Sequence, residues 1–338
     1  MVPRLRVPIL VIIVSMVCSG YLSLGHAATV STQQPTAAPT QTISTQGGKA
    51  EADPLLARAR YALTEDDYDR ALQSFQQALE LYREMHDPSG EAQALQGIGS
   101  AYLGQDRYAQ AIQFSEQSLK LARDLHDSAL TGQALSILGA SHKGLKDLAK
   151  ALEYQQQALG IAQRIGNKDL EADVWRRLGH LSVEQQDYPK ALSHYQRSLS
   201  AAREGDNKKL MEYALSSIAS VYQSLEDYPK ALEYYQQALA LARAGHDRKQ
   251  ESAVLFGLAK LYKLQTDIPQ AVEIYRQAVL IALENQKIAC ASNPQRALGE
   301  TYKVLMEDYP KALPYFQQAV RMEREAKQPG CALRVLKS

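Results

Sequence analysis

Cysteine and aromatic bulk are scarce in this chain, and neither electrical sign dominates it. One Trp, 4 Phe and 3 Cys stand among 338 residues, and 38 basic side chains face 37 acidic ones. Balanced charge removes the electrostatic pull toward nucleic acid, whose binders carry a marked basic excess. So few cysteines exclude a disulfide-built scaffold and a zinc site made of Cys pairs. His-Glu-x-x-His spacing is missing as well. Gly97-Ile98-Gly99 lacks the third glycine and the preceding strand of a dinucleotide loop. Gly139 to Gly144 has phosphate-loop spacing, but Leu145 stands where the lysine would have to be. No stretch alternates with period two for long enough to build a sheet. The carboxylates are scattered over solvent-facing positions, with no pair set apart as acid and base. What remains is an all-helical chain expected to be non-enzymatic, with no catalytic residue, no cofactor and no metal.

What the sequence does have is a period. Asp187-Tyr188-Pro189-Lys190-Ala191-Leu192 recurs unchanged from Asp227 and from Asp308, and weaker copies start at Asp67, Asp106, Asp147 and Asp267. The spacing is about 40 residues, within the range in which each unit buries its apolar face only against its neighbours. Each unit reads as two helices. Ala231, Leu232, Tyr235, Ala238 and Leu239 fall on one helical face, with Glu233, Gln236 and Gln237 turned to water. Asp227 stands at an N-cap, and Pro229 falls in the first turn, where a missing N–H costs nothing.

The first half of each unit carries an aliphatic–small pair: Ile98-Gly99, Leu138-Gly139, Leu178-Gly179, Ile218-Ala219, Leu258-Ala259 and Leu298-Gly299. A mid-helix Gly costs about 1 kcal/mol against Ala, so the small residues predict a second helix passing close by. Tyr102, Tyr222, Tyr262 and Tyr302, three residues on, are expected to wedge between the two helices. His86, His126 and His246 repeat at equivalent turns, a helix spacing apart. That is too far to share a metal, so they are placed near helix C-termini, where the macrodipole favours a cation.

Trp175, Leu178, Gly179, Tyr188, Ala191, Tyr195 and Ser198 give one unit a pattern that resembles the tetratricopeptide repeat. The 40-residue form is similar to the repeats of kinesin light chain, spindle-orientation adaptors and exported bacterial arrays. The resemblance implies an all-α, right-handed superhelical solenoid of about seven helix-turn-helix repeats. It also implies that the first helices of the units line a concave groove holding a protein or peptide. Carried onto this sequence, the groove is lined by Gln93, Gln96 and Ser100 early. Arg176 and His180 follow in the middle, then Tyr213, Phe256, Lys260, Lys263, Arg296 and Lys303. Arg and Lys beside Tyr and Phe suit an acidic or carboxylate-ended segment. The expected function is an exported scaffold. The alternative is a sensor arm of an enzymatic system, such as a caspase-like peptidase carried on a separate chain.

The ends differ from the array. Arg4 and Arg6 precede an apolar run from Val7, with small residues through Gly25-His26-Ala27, the layout of a secretory signal peptide over 1–28. An uncleaved anchor over 7–24 is the alternative, and only then would the chain contact a membrane. Residues 29–50 are Thr, Gln, Pro, Ala and Ser, expected as a disordered linker. The array is assigned to 51–327 and a tail or cap to 328–338. Cys290 and Cys331 stand one period apart, and the sequence leaves open whether they are bridged or free. It does not fix the oligomeric state either.

Overall fold

The computed structural model describes residues 45–284 as twelve α-helices: α1 Thr45–Thr64, α2 Tyr68–Glu84, α3 Pro88–Gly104, α4 Tyr108–Asp124, α5 Ser128–Gly144 and α6 Leu148–Ile165, followed by α7 Lys168–Glu184, α8 Tyr188–Glu204, α9 Lys208–Ser224, α10 Tyr228–Ala244, α11 Arg248–Leu264 and α12 Ile268–Glu284. Consecutive helices pair into six hairpins, which stack in chain order. The seventh expected repeat, with Tyr302, Arg296, Lys303 and both cysteines, lies outside the described residues, as do the signal segment and most of the linker. One boundary moves. Helix α1 begins at Thr45, inside the stretch expected to be linker, and runs through Pro54. Its Ala52, Leu56, Ala59 and Ala62 are buried against the first pair, so tertiary burial outweighs the poor local composition.

The connections share one device, three residues long in all but the α6–α7 turn, where Gly166 and Asn167 suffice. In the α3–α4 turn, Asp106 N–H donates to Leu103 C=O at 3.1 Å and Arg107 N–H to Tyr102 C=O at 2.9 Å. This is a Schellman pair followed at once by the next N-cap. The middle residue is left-handed in each: Asp66, His86, Asp106, Lys146, Gln186 and their equivalents, with glycine only at Gly166. The turn histidines His86, His126 and His246 occupy this position, just past their helix C-termini. N-caps are Asp or Asn throughout, as Asp187 Oδ1 shows by accepting from Lys190 N–H at 3.1 Å. Arg107 is the exception and makes no side-chain cap. There the acid has shifted to Asp106, which accepts instead from the Tyr108 hydroxyl at 2.7 Å.

The core is a column of repeats within repeats. Ala71, Ala111, Ala151, Ala191, Ala231 and Ala271 are fully buried at one register position, where only a small residue fits between helices. The aliphatic–small pair does mark a close crossing. A Cβ on Gly99, Gly139 or Gly179 would stand 2.5, 2.5 or 2.4 Å from Ser115, Gln155 or Tyr195 on the partner helix. The wedge itself is displaced from expectation. Tyr102 and Tyr222 stack on Phe114 and Tyr234, with centroids 5.4 and 5.6 Å apart, while the central place belongs to Phe75, Tyr195, Tyr235 and Tyr275. Size is conserved across the seam. Where the wedge is Phe75 or Tyr235, the following repeat offers Gly97 or Gly257 against the ring. Where it is Ser115 or Gln155, the same register holds Ile137 or Arg177.

Candidate functional site

Next-but-one contacts run between odd-numbered helices: α1 with α3, α3 with α5, α5 with α7, α7 with α9 and α9 with α11. Helices that crowd together in a curved stack lie on its inner side, so the odd helices form the concave face. Asp173, Arg176, Arg177 and His180 on α7 and Tyr213 on α9 lie on these odd-numbered helices.

In the middle of the face, Asp173 on α7 is held by two guanidinium groups. Arg176 Nη2 approaches Oδ1 at 2.5 Å and Arg177 Nε approaches Oδ2 at 2.6 Å. Burial alone would raise the Asp173 carboxyl, but Arg177 and Arg176 outweigh it and hold the group well below the usual carboxylate range. Burial likewise works against the charge on Arg176, and Asp173 more than restores it. Arg176 keeps about a fifth of its side chain open to water, as befits the floor of a groove. Its Nε is buried without a hydrogen-bond partner.

His180, one turn on, is kept neutral. Burial and then Arg176 push it down to about 3. Its Nε2 lies 3.1 Å from Arg176 Nη1 and its Nδ1 lies 2.8 Å from the Tyr195 hydroxyl. Guanidinium can only donate, so Nε2 accepts and the ring proton belongs on Nδ1. That proton then points at the Tyr195 oxygen and leaves the hydroxyl hydrogen free to donate elsewhere. The assignment follows from the network and not from observed hydrogens. Tyr213 on α9 sits with its ring centroid 5.7 Å from the Arg176 guanidinium carbon. Burial, then Asp247, pushes its hydroxyl up to about 12, with Asp66 adding to the rise. Tyr213 is therefore a donor at any physiological pH.

Arg176, His180 and Tyr213, which the sequence analysis assigned to the groove, are neighbours in the structure. Phe256 and Lys260 form a second pair on α11, with Lys260 Nζ 5.9 Å from the ring centroid. Phe256 is not a free anchor. It is half-buried and meets Tyr275 edge-on at 5.4 Å, so part of its surface is committed to the core. Lys263 is half-buried one turn further. Arg296 and Lys303 lie outside the described residues. On the early side, Lys143 and Lys146 of the α5 end bind Glu184 of α7 at 3.5 and 3.1 Å, joining successive repeats along the rim.

Sequence reasoning missed three features. Tyr195 reads as pure core, yet its hydroxyl meets the His180 ring of α7 at 2.8 Å. Glu212 is 2% exposed at a register where other repeats hold Ala92, Gly132, Ala172 and Ser252, and its Oε2 has no partner. Asp66 and Lys249 form an ion pair across 183 residues, which no local pattern could signal.

The described residues hold no group of three or more His, Cys, Asp or Glu side chains that could bind a metal, and no helix among them is long and apolar enough to cross a membrane. Solved structures share the architecture. A Rap protein complexed with competence and sporulation factor superposes with a TM-score of 0.65 at 18% identity, over 82% of this chain and 76% of that one. The Rap conjugation gene regulator of plasmid pLS20, in complex with the Phr* peptide, gives 0.57 at 14% identity over 82% and 80%. Aspartyl phosphate phosphatase F from Bacillus subtilis gives 0.55 at 15% identity over 77% and 71%. At these identities the likeness is one of fold. No curated protein sequence matches the chain. The family model for the tetratricopeptide repeat matches residues 51–124, 130–204 and 210–284, each span taking in two of the hairpins. With most of its length so matched and its helices paired and stacked as described, the chain belongs to the tetratricopeptide repeat family.

Proposed function

We propose that the chain is a non-catalytic scaffold that holds a protein or peptide partner along its concave face, centred on α7 and α9. The observation that carries this reading is the one-sided chemistry of the groove floor. Arg176 and Tyr213 present donors, with the buried Tyr195 hydroxyl behind them against His180, and the one acid among them, Asp173, is already saturated by two guanidinium groups. Such a floor is matched by acceptors: backbone carbonyls, acidic side chains or a terminal carboxylate. The peptide held by the pLS20 regulator, a structure of similar fold, is consistent with that use. The array is exported, or tethered outside the cytoplasm if residues 7–24 stay in a membrane. The N-terminal sequence of the mature protein decides between these, with a start near Ala28 expected.

The test is calorimetry with the partner captured from the exported fraction. Arg176→Ala and Tyr213→Ala should each weaken binding at least tenfold, as desolvated Arg and aromatic anchors do. Gln237→Ala on the opposite helices should leave it unchanged. Equal affinity for all variants would remove the site from this groove. Capture of a peptidase would favour the sensor-arm reading.

A further inference from the structure

Solenoid repeats touch their neighbours, and long-range contacts are not required to hold the stack. A side-chain contact between its distant parts therefore reports on the curvature of the whole. Asp66 lies in the α1–α2 turn of the first pair, and Lys249 lies in the first turn of α11, the sixth pair's opening helix. Their side chains form an ion pair. The Tyr68 hydroxyl donates to the other Asp66 oxygen at 2.9 Å, fixing the carboxylate. Tyr213, on the groove wall near Arg176, belongs to the same neighbourhood, because Asp66 raises its hydroxyl and Tyr213 in turn raises Tyr68. The first turn and the sixth pair thus meet near Tyr213 of α9.

Lys249 is a poor choice for its own helix. A cation in the first turn opposes the macrodipole, and the register equivalents in other repeats are Ser89, Ala129, Asp169 and Lys209. For Lys249, Asp66 supplies a counter-charge from the first pair. The pair keeps water contact, with 38% of the Lys249 side chain and 18% of the Asp66 side chain exposed. Such a partly exposed pair is weak and is weakened further by salt. It can bias a superhelix between closed and open, and is weak enough to be undone on binding.

We propose that Asp66 and Lys249 form a latch that closes the groove across its open side, so that it admits a flexible polypeptide chain, excludes a folded partner, and exchanges its occupant by opening. The proposal rests on the groove being the binding surface, but its test needs no ligand. In a background with Cys18, Cys290 and Cys331 replaced by Ser, Ser216→Cys places a thiol on the groove floor, at the register of Arg176. Ser193→Cys places one on exposed α8 as a control. Each is labelled with N-ethylmaleimide and with a bulky polyethylene-glycol maleimide.

The latch requires the bulky reagent to lag the small one severalfold more at position 216 than at 193. Asp66→Lys should abolish that lag, and so should high salt. Lys249→Asp should act alike, which separates the latch from the local Tyr68 bond. The combined charge swap should restore the lag. Equal size discrimination at both positions, or a lag unmoved by either charge reversal in variants that melt like the parent, overturns the latch. Loss of the latch with peptide binding intact would leave the groove reading standing. A latch that works in a chain binding no peptide would do the reverse.

Discussion

A single carboxyl tests how much the array tolerates at a close crossing. Glu212 occupies a register reserved elsewhere for Ala, Gly or Ser, and its carboxyl is pushed up to about 7 by burial and then by Asp247, with Lys209 opposing. Its ordinary value is 4.5, so the folded state binds the proton more tightly than the unfolded one. The associated stability is fully present below about pH 4.5 and is lost as pH rises toward 7. The site is covered but close to the array surface, so about 2 kcal/mol is at stake. Glu212→Gln should raise the melting temperature at pH 8 and leave it unchanged at pH 4.5. A shift of equal size at both pH values would mean that Glu212 is not titrating.

Glycines give a second residue-scale contrast. A Cβ on Gly179 would stand 2.4 Å from the Tyr195 ring, whereas one on Gly160 would meet nothing within 4 Å. Helix propensity favours Ala at both by about 1 kcal/mol. Gly160→Ala should therefore stabilise by about that amount, and Gly179→Ala should destabilise by about 1–3 kcal/mol through overpacking. Chemical denaturation of the two variants measures both signs.

At the scale of the element, the helices are close to uniform in length because their punctuation is uniform. Each turn spends one residue on a C-cap, one on a left-handed φ and one on an N-cap, except α6–α7, where Gly166 serves as both of the first two and α6 is one residue longer. The N-cap carries measurable weight. Asp187→Ala removes the bond to Lys190 N–H and should cost about 1 kcal/mol. Arg107→Ala removes no cap, although it does lose the guanidinium stacked 4.6 Å from the Tyr102 ring centroid. Its cost should be roughly 0.5 kcal/mol. Thermal melts of the pair separate the capping contribution from the stacking one. An equal loss from both would show that the Asp side chain contributes nothing beyond its neighbours.

For the whole molecule, stacking six hairpins converts a sequence period into curvature, and curvature creates the two features with functional meaning. One is the donor-lined floor around Arg176, built from α7, α8 and α9 together. The other is the meeting of Asp66 with Lys249, which exists only because the stack bends far enough to bring its first turn in front of its sixth pair. The proposed binding role of Arg176 and the proposed latch both depend on that bend.

The fold was legible because a repeat writes its contacts many times over. Ala231 recurs as Ala71, Ala111, Ala151, Ala191 and Ala271, and Asp or Asn stands at nearly every cap, so periodicity alone fixes two helices per unit, their polarity and their close crossing. Arg176, His180 and Tyr213 could be placed on one face for the same reason. Tertiary structure alone decided which large side chain fills the seam: Tyr195, on a second helix, takes the central place, whereas Tyr102, on a first helix, stacks on Phe114. Local spacing specifies neighbours, and the sum of small rotations from one repeat to the next is what specifies where distant residues such as Asp66 and Lys249 meet.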